Sequence, residues 1–561
     1  MNYSEECSAQ SGRLMSLVEN VELFHTPDRT AYGTITVDGH HETWPLGSTF
    51  FEQWVTREFY KSEASTPNPT VFKGVLETIR AKAQFDGQER SVFTRVGALE
   101  GKIYVDLGDP AWRAVEVTNS GWSVVTDPPV RFRRSNGMMA LAMPEHGGHI
   151  SNLRRFVNVK DDDWVLFVSW LVAAFRPKGP YPILGLYGEH GSAKTTTERV
   201  ARDLIDPFKA PMRTKPQNER DLMISASNSH ILTLDNLSYV DPWLSDALCR
   251  LSTGGGLATR ALYKDDEEKI FDAQRPILLN GIGEVAVNGD LLDRMVILSL
   301  PEINENERKE EAVFWEDFQA VKPQILGALL SGVSAALKNV KVVKLDKKPR
   351  MADFAIWASA AECGLGFAAK EFINAYNRNR REAGDVALEA SPVATKVYEF
   401  MQDKNEWEGT TGELNNKANI QASSPKALSN ALERVKPSLR NADIIIHRLP
   451  RQAGRRLLRI EKKPTAPSVP SLPSQTQSIQ QVPRDDSRDD GCGRDTTSSE
   501  VCAGLTENGR KLPRGPPILQ SRTYGHRWWR VQQSSAQSGD ACCAPYLTRA
   551  SAFCRLEAPP K

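Results

Sequence analysis

Between Pro182 and Arg199 the chain reads as an apolar strand, Pro182-Ile183-Leu184-Gly185-Leu186-Tyr187, a glycine-containing loop, Gly188-Glu189-His190-Gly191-Ser192-Ala193-Lys194-Thr195, and a helix opening with Thr196, Thr197, Glu198 and Arg199. Strand, loop and helix in that order form a cradle for a polyphosphate. Successive backbone N–H groups of the loop and of the helix N-terminus point at the anion. The Lys194 ammonium is placed to reach the β- and γ-phosphates, and the Thr195 hydroxyl to ligate magnesium. Strands and helices alternate from here to about residue 300, which favours an α/β sheet covered by helices. One position departs from the usual pattern, because Ala193 stands where a glycine precedes the lysine. Alanine fits there if the residue is already helical, and does not fit if it needs a positive φ.

Three further strands supply partners for that loop. Ile231-Leu232-Thr233-Leu234-Asp235-Asn236 is a buried-type strand ending in an acid, the place for a carboxylate that holds the magnesium shell. Asn236 follows it, and an amide cannot accept a proton, so the general base for hydrolysis is left open. Arg275-Pro276-Ile277-Leu278-Leu279-Asn280 ends in an amide able to hydrogen-bond a γ-phosphate and an attacking water, or to cap the next turn. Asp290-Leu291-Leu292-Asp293-Arg294 precedes the strand from Met295 to Leu300. Arg294 there has two readings: transition-state charge supplied to a neighbouring subunit, or a surface pair with Asp290 or Asp293.

Taken in order, GEHGSAKT, LTLDN, LSTGGGLATRALYKDDEEKIF, RPILLNG and DLLDRMVILSLP resemble the AAA+ ATPases of helicase superfamily 3, in particular the helicase half of phage and plasmid primase-helicases. The resemblance covers about residues 150 to 300. It implies ATP and Mg2+ as cofactors, a homo-oligomeric ring with single-stranded DNA in its channel, and a separate primase or polymerase as a possible partner. The block from Leu251 to Phe271 looks like that family's hairpin, whose basic residues, here Arg260 and Lys264, face the channel. Asp265, Asp266, Glu267 and Glu268 beside Lys264 depart from a phosphate-tracking tip. The first 460 residues also look like a family of ATP-binding proteins of bacterial mobile elements.

Composition sets the frame around this core. The 561 residues are 40% hydrophobic and 25% charged, ordinary for a globular chain of several domains. Eight cysteines, three scattered and five in the tail, form no disulfide framework, and no secretory pattern opens the sequence, so a cytoplasmic protein is expected. The longest apolar run, Trp164 to Phe175, is too short for a membrane span of about 20 residues and reads as a buried helix.

The expected fold class is thus α/β: a P-loop NTPase (AAA+-like) core at 149–302 behind an N-terminal mixed α/β domain at 1–148. In the latter, Phe50, Trp54 and Val55 share a helical face. An α-helical region follows at 303–388, then a winged-helix-like unit at 389–463. The Pro-, Ser- and Gln-rich tail at 464–561 cannot bury a core and is expected to be disordered. From 423 to 463, eleven Lys or Arg oppose three acids, leaving +8. In that unit Gly409 to Leu414 looks like the start of a second helix, and Ser424-Pro425 opens a third. Lys426, on that helix, and Arg451, Arg455 and Arg456, around the hairpin turn, are candidate contacts to duplex DNA, with protein docking as the alternative. His25, His40, His41 and Glu42 read as exposed hairpin residues rather than a metal site. The function expected is an ATP-driven DNA helicase or translocase serving replication of a mobile element. The rival is an ATP-switched DNA-binding initiator that hydrolyses slowly and does not unwind.

Overall fold

The computed structural model describes residues 3–260, 268–271, 274–281, 289–389, 391–451 and 456–463. Lys264, Arg455 and the segment 464–561 lie outside them, as does the side chain of Arg260.

The middle of the chain is built on a parallel sheet whose strands run, side by side, Leu232–Leu237, Ile277–Gly281, Ile183–Tyr187 and Met295–Ser299. Strands covered on both faces read as largely apolar runs, as these do up to their C-terminal ends. Ile183, Leu184, Leu186, Leu232, Ile277 and Leu278 are all fully buried. The order matters for chemistry. It places the strand ending in Asn280 between the one carrying Asp235 and the one feeding the loop at Gly188. All three therefore discharge their C-terminal ends at one edge, where ligands of open α/β sheets bind.

The helix Asp161–Ala174 is buried from Trp164 onward on every face, as expected of a helix apolar all round. Asp161, Asp162 and Asp163 occupy its first turn, where the helix dipole favours negative charge. Around it packs one large cluster that also takes in Val105, Val115 and Val117 from an antiparallel meander (Val96–Leu99, Lys102–Asp106, Ala114–Thr118, Gly121–Val125). The same cluster includes Leu326, Leu329 and Val333 from the helix Glu311–Asn339, and Phe354, Ala358 and Tyr376 from the helices Ala352–Leu365 and Glu371–Glu389. Glu311–Asn339 is long and apolar enough to cross a membrane, yet 61% of its most apolar window is buried within the fold.

A charged seam joins the meander to the sheet. Arg95, fully buried, donates to Asp206 at 3.0 Å, and Asp206 also accepts from the backbone N–H of His230 at 2.8 Å. Asp206 caps the helix that follows the glycine loop, and His230 precedes the strand carrying Asp235. A buried charge so fully bonded is strongly destabilising to break.

The N-terminal part holds a second sheet, ordered His40–Pro45, Ala31–Val37, Glu22–His25, Gln88–Glu89, under the helices Tyr3–Leu17, Thr49–Glu63 and Pro69–Phe85. In Thr49–Glu63 the buried face is Phe51, Val55 and Phe59. Phe50, expected on that face, is instead 39% exposed and stacks on Trp44, because one residue is 100° of helix turn. Of the residues expected to be exposed, His25 and Glu42 are buried; His40 pairs with Glu42 and His41 with Asp127, and no cluster of three metal-ligating side chains occurs among the described residues.

The C-terminal unit has its own core of Val397, Met401, Trp407, Leu414, Leu428, Leu432 and Ile460. Its order is helix Pro392–Met401, strand Glu406–Thr410, helix Thr411–Lys417, helix Pro425–Asn441, and the strands Ile444–Arg448 and Leu457–Lys462. The strand Glu406–Thr410 takes residues Gly409 and Thr410 that the sequence assigns to a helix start. It pairs antiparallel with Leu457–Lys462, alternating exposed Glu406 and Glu408 with buried Trp407 and Gly409. The helix begins after it, with Thr410 and Glu413 closing a reciprocal capping box.

Candidate functional site

The loop from Gly188 to Thr195 wraps tightly because its glycines accept backbone angles closed to other residues. Gly188 lies at φ +151°, and a Cβ there would come within 2.6 Å of the Leu300 carbonyl and 2.7 Å of Ser192 Oγ. Gly191 lies at φ +82°. Ser192 is fully buried and ties the loop to itself by donating to the Glu189 carbonyl at 2.8 Å. Ala193 resolves the alternative its sequence poses, for it sits at φ 58°, ψ 31°, left-handed and just before the helix Lys194–Ile205. An alanine pays about 1–2 kcal/mol to stay there.

Lys194 donates to the Gly188 and Glu189 carbonyls, both at 2.7 Å, so its ammonium is held over the loop. Partial burial lowers its pKa, and the Asp235 carboxylate opposes that shift. Thr195 Oγ1 donates to Asp235 Oδ1 at 3.1 Å. Two hard oxygen ligands thus meet from a helix N-terminus and a strand end, the donor set Mg2+ takes beside a phosphate. With the backbone N–H groups of the loop, these residues fit a magnesium-bound nucleoside triphosphate.

Asn280 knits the strand ends together. Its Nδ2 donates to Asp235 Oδ1 at 2.6 Å and to Glu198 Oε2, while its Oδ1 accepts from the Asn236 N–H at 2.7 Å. Both amide hydrogens of Asn280 are therefore committed to carboxylates. Glu198, on the second turn of the loop's helix, is fully buried and its Oε1 has no hydrogen-bond partner among the described residues. Burial first, then the neighbouring Asp235 charge, push its carboxyl well above the usual range, against the pull of Arg202 and of the Asn280 hydrogen bond. Nothing in the sequence marked Glu198 as more than a surface residue of a helix; its partners come from strands about 40 and 80 positions away.

Asn236 is exposed at φ 56°, at the register shift between Leu234 and Leu237. Asn tolerates that left-handed position far better than Glu, which gives a backbone reason for an amide where an acid would serve hydrolysis.

Beside the loop opens a cavity of about 890 Å³. Phe156, Ile303, Phe314 and Trp315 supply its apolar wall and Arg155, Arg199, Arg308 and Lys309 its cations. Arg199 lies over the Trp315 ring at 4.1 Å, and Arg308 sits 3.3 Å from where a Cβ on Gly191 would be. Asn158 fastens this wall to the loop through the carbonyls of Ser192, at 3.1 Å, and Pro301, at 2.6 Å. Planar apolar surface adjoining a phosphate cradle is where a nucleobase and ribose can lie. The sequence left these residues unmarked because they come from separate stretches on either side of the core.

Arg294 is turned inward. It contacts Asp290 Oδ2 at 2.5 Å and the Asp290 carbonyl at 2.8 Å, and its side chain is only 14% exposed. Asp290 is shared with Arg350, and Asp293 pairs with Arg380. The strands Leu257–Arg260 and Glu268–Phe271 pair as an antiparallel hairpin, whose tip with Lys264 is outside the described residues.

In the C-terminal unit Lys426, Arg451 and Arg456 are exposed. Part of the +8 is spent internally. Glu433 accepts Lys436 and Arg448, and Arg459 is ringed by Glu406, Glu408 and Glu461.

Comparison with known proteins bears on the same two regions. Structures titled "SCCmec type IV Cch - active helicase" (TM-score 0.41, 12% identity, 79% of this chain and 93% of that one) and the NrS-1 C-terminal region (TM-score 0.34, 12% identity, 80% and 98%) are similar to it, at a level that carries no functional argument. No curated protein sequence matches the chain. Residues 150–379 match the family described as actinomycete integrative conjugative element replication protein, and residues 393–476 match the C-terminal domain described for the same family. With these two matches, in order and together spanning more than half of its length, the chain belongs to the replication protein family of actinomycete integrative conjugative elements.

Proposed function

We propose that this replication protein is an ATP-driven DNA helicase or translocase of the superfamily 3 type, with an AAA+ core, assembling as a homo-oligomeric ring. The observation that carries the reading is the meeting of Lys194, Thr195, Asp235 and Asn280 at the carboxyl ends of three adjacent parallel strands. Lys194 and the loop N–H groups would bind the triphosphate, and Thr195 and Asp235 would hold Mg2+, which supplies charge neutralisation at the transferring phosphoryl group. The aromatic wall at Phe314 and Trp315 would take the base. The C-terminal unit, with the order of a winged helix, would contact duplex DNA through Lys426 on its third helix and Arg451, Arg455 and Arg456 at its wing. The channel hairpin with Arg260 and Lys264 would track single-stranded DNA, and a separate primase or polymerase would complete the replication machinery. We place the protein in the cytoplasm.

A second reading, an ATP-switched initiator that hydrolyses slowly and does not unwind, is favoured by Asn236 and by the full commitment of Asn280 to Asp235 and Glu198. Two assays separate them. ATP turnover is measured with and without single-stranded DNA, beside strand displacement from a forked duplex. The helicase reading expects DNA-stimulated turnover and displacement; DNA binding with slow, unstimulated turnover and intact forks would replace it with the initiator.

A further inference from the structure

The turn between the helices Glu311–Asn339 and Ala352–Leu365 contains four lysines and an arginine against a single acid, Asp346, over residues 341–350. Lys341, Lys344, Lys347 and Lys348 are all exposed. None of the four pairs with a carboxylate among the described residues, whereas Arg350 reaches Asp290 at 2.8 Å. The turn is also anchored. Val340, Val343 and Leu345 pack partly against the main core and Met351 is 1% exposed, so apolar side chains fasten the backbone while the lysines face outward. Four lysines within eight residues of one turn repel one another unless an anion lies across them.

Arg350 leads from this turn to a second basic surface. Its partner Asp290 belongs to the short helix Gly289–Leu292, which packs on the helix Pro425–Asn441 of the C-terminal unit. A Cβ on Gly289 would lie 3.5 Å from the Arg434 carbonyl and 3.9 Å from Ser438 Oγ. Arg434 and Arg440 of that helix are exposed, with no ion pair to another described residue. One short helix thus bridges the two groups of uncompensated cations.

We propose that the lysine turn 341–350 is a phosphate-backbone contact for duplex DNA, continuous with Arg434 and Arg440. The proposal rests on the reading of this chain as a DNA-binding protein. Duplex DNA presents a charge about every 1.7 Å, and lysines meet it as point charges without demanding a base sequence. A prepositioned turn loses little conformational freedom on binding.

The test uses the full chain, a labelled duplex of arbitrary sequence, and affinity measured against salt. One variant carries Lys344→Glu, Lys347→Glu and Lys348→Glu; a second neutralises the same lysines to Gln, should charge reversal disturb folding. A third carries Lys426→Glu and Arg456→Glu. ATP affinity serves as the folding control. Three lost contacts should reduce the slope of log K against log salt by about 2.7 and weaken binding at least about tenfold at 100 mM salt, with ATP affinity kept. Unchanged slope and affinity in both lysine variants, with binding lost in the third, would overturn the lysine turn and leave the DNA reading standing. A wild-type chain that shows no salt-dependent duplex binding would end both.

Discussion

Asn280 donates to Asp235 across 2.6 Å, joining the ends of two neighbouring strands directly behind the Thr195 hydroxyl. The same amide bonds Glu198, so one neutral group bridges the Asp235 carboxylate and a buried carboxyl that burial and that neighbouring charge push well above its usual range. Replacing Asn280 with Ala should leave both acids without that partner and cost about 1–3 kcal/mol in a denaturant titration. Adding Glu198→Leu should return part of the loss, since removing both partners is cheaper than orphaning one. Strict additivity of the two changes would show that the residues do not interact.

Ala193 yields a prediction of the opposite sign. Glycine has no penalty at φ 58°, and its extra freedom in the unfolded chain offsets only part of the gain. Ala193→Gly should therefore raise stability by about 0.5–1 kcal/mol with ATP affinity undiminished. A loss of stability would mean that the loop does not hold the left-handed angle.

What the sequence reveals of this site depends on distance along the chain. The loop and the three strand ends could be read because each is a local pattern: an apolar run, then a fixed residue type. Ala193 could be posed only as a fork, since φ is invisible in a residue name. Glu198 and the wall formed by Phe156, Phe314 and Trp315 were not legible, because burial and juxtaposition arise from packing of distant segments. The strand Glu406–Thr410 was missed because Glu-Trp-Glu-Gly-Thr holds only one large apolar residue, and its pairing with Leu457–Lys462 supplies what its composition lacks. The eleven basic residues of the C-terminal stretch are plain in the sequence, but which of them are neutralised by Glu433, Glu406 and Glu408 depends on the fold.

His230 gives the pH dependence. It is fully buried, and burial drives its pKa down to about 4 against the Ala174 carbonyl and the Asp206 charge, which favour the proton. The unfolded chain takes up this proton near pH 6.5, and the folded one only near 4. Stability is thus intact above 6.5 and falls as pH drops toward 4, by up to about 3 kcal/mol. His230→Gln keeps a donor toward Ala174 without titrating, and its stability should decline less across that window. Parallel curves for the two proteins would remove His230 as the cause.

Arg294 makes its contacts in cis with Asp290, so a role at a neighbouring subunit's nucleotide requires it to leave that carboxylate. Arg294→Ala should bind ATP normally and lose most hydrolysis, as expected for a group that meets only transition-state charge. Mixed with Lys194→Ala, it should regain partial turnover, since some interfaces then hold both intact residues. Co-assembled mixtures with no turnover at any ratio would assign Arg294 to the Asp290 pair alone.

Both functions proposed for this chain depend on the loop at Gly188–Thr195 binding a magnesium–nucleoside triphosphate through the Lys194 ammonium. Equilibrium titration of ATP into the wild-type chain and into Lys194→Ala, each with and without Mg2+, tests it most directly. The wild type should bind saturably and more tightly with Mg2+, and the variant should lose at least about 100-fold, because phosphate charge is then left without its cation. Equal affinity in the two proteins would contradict it.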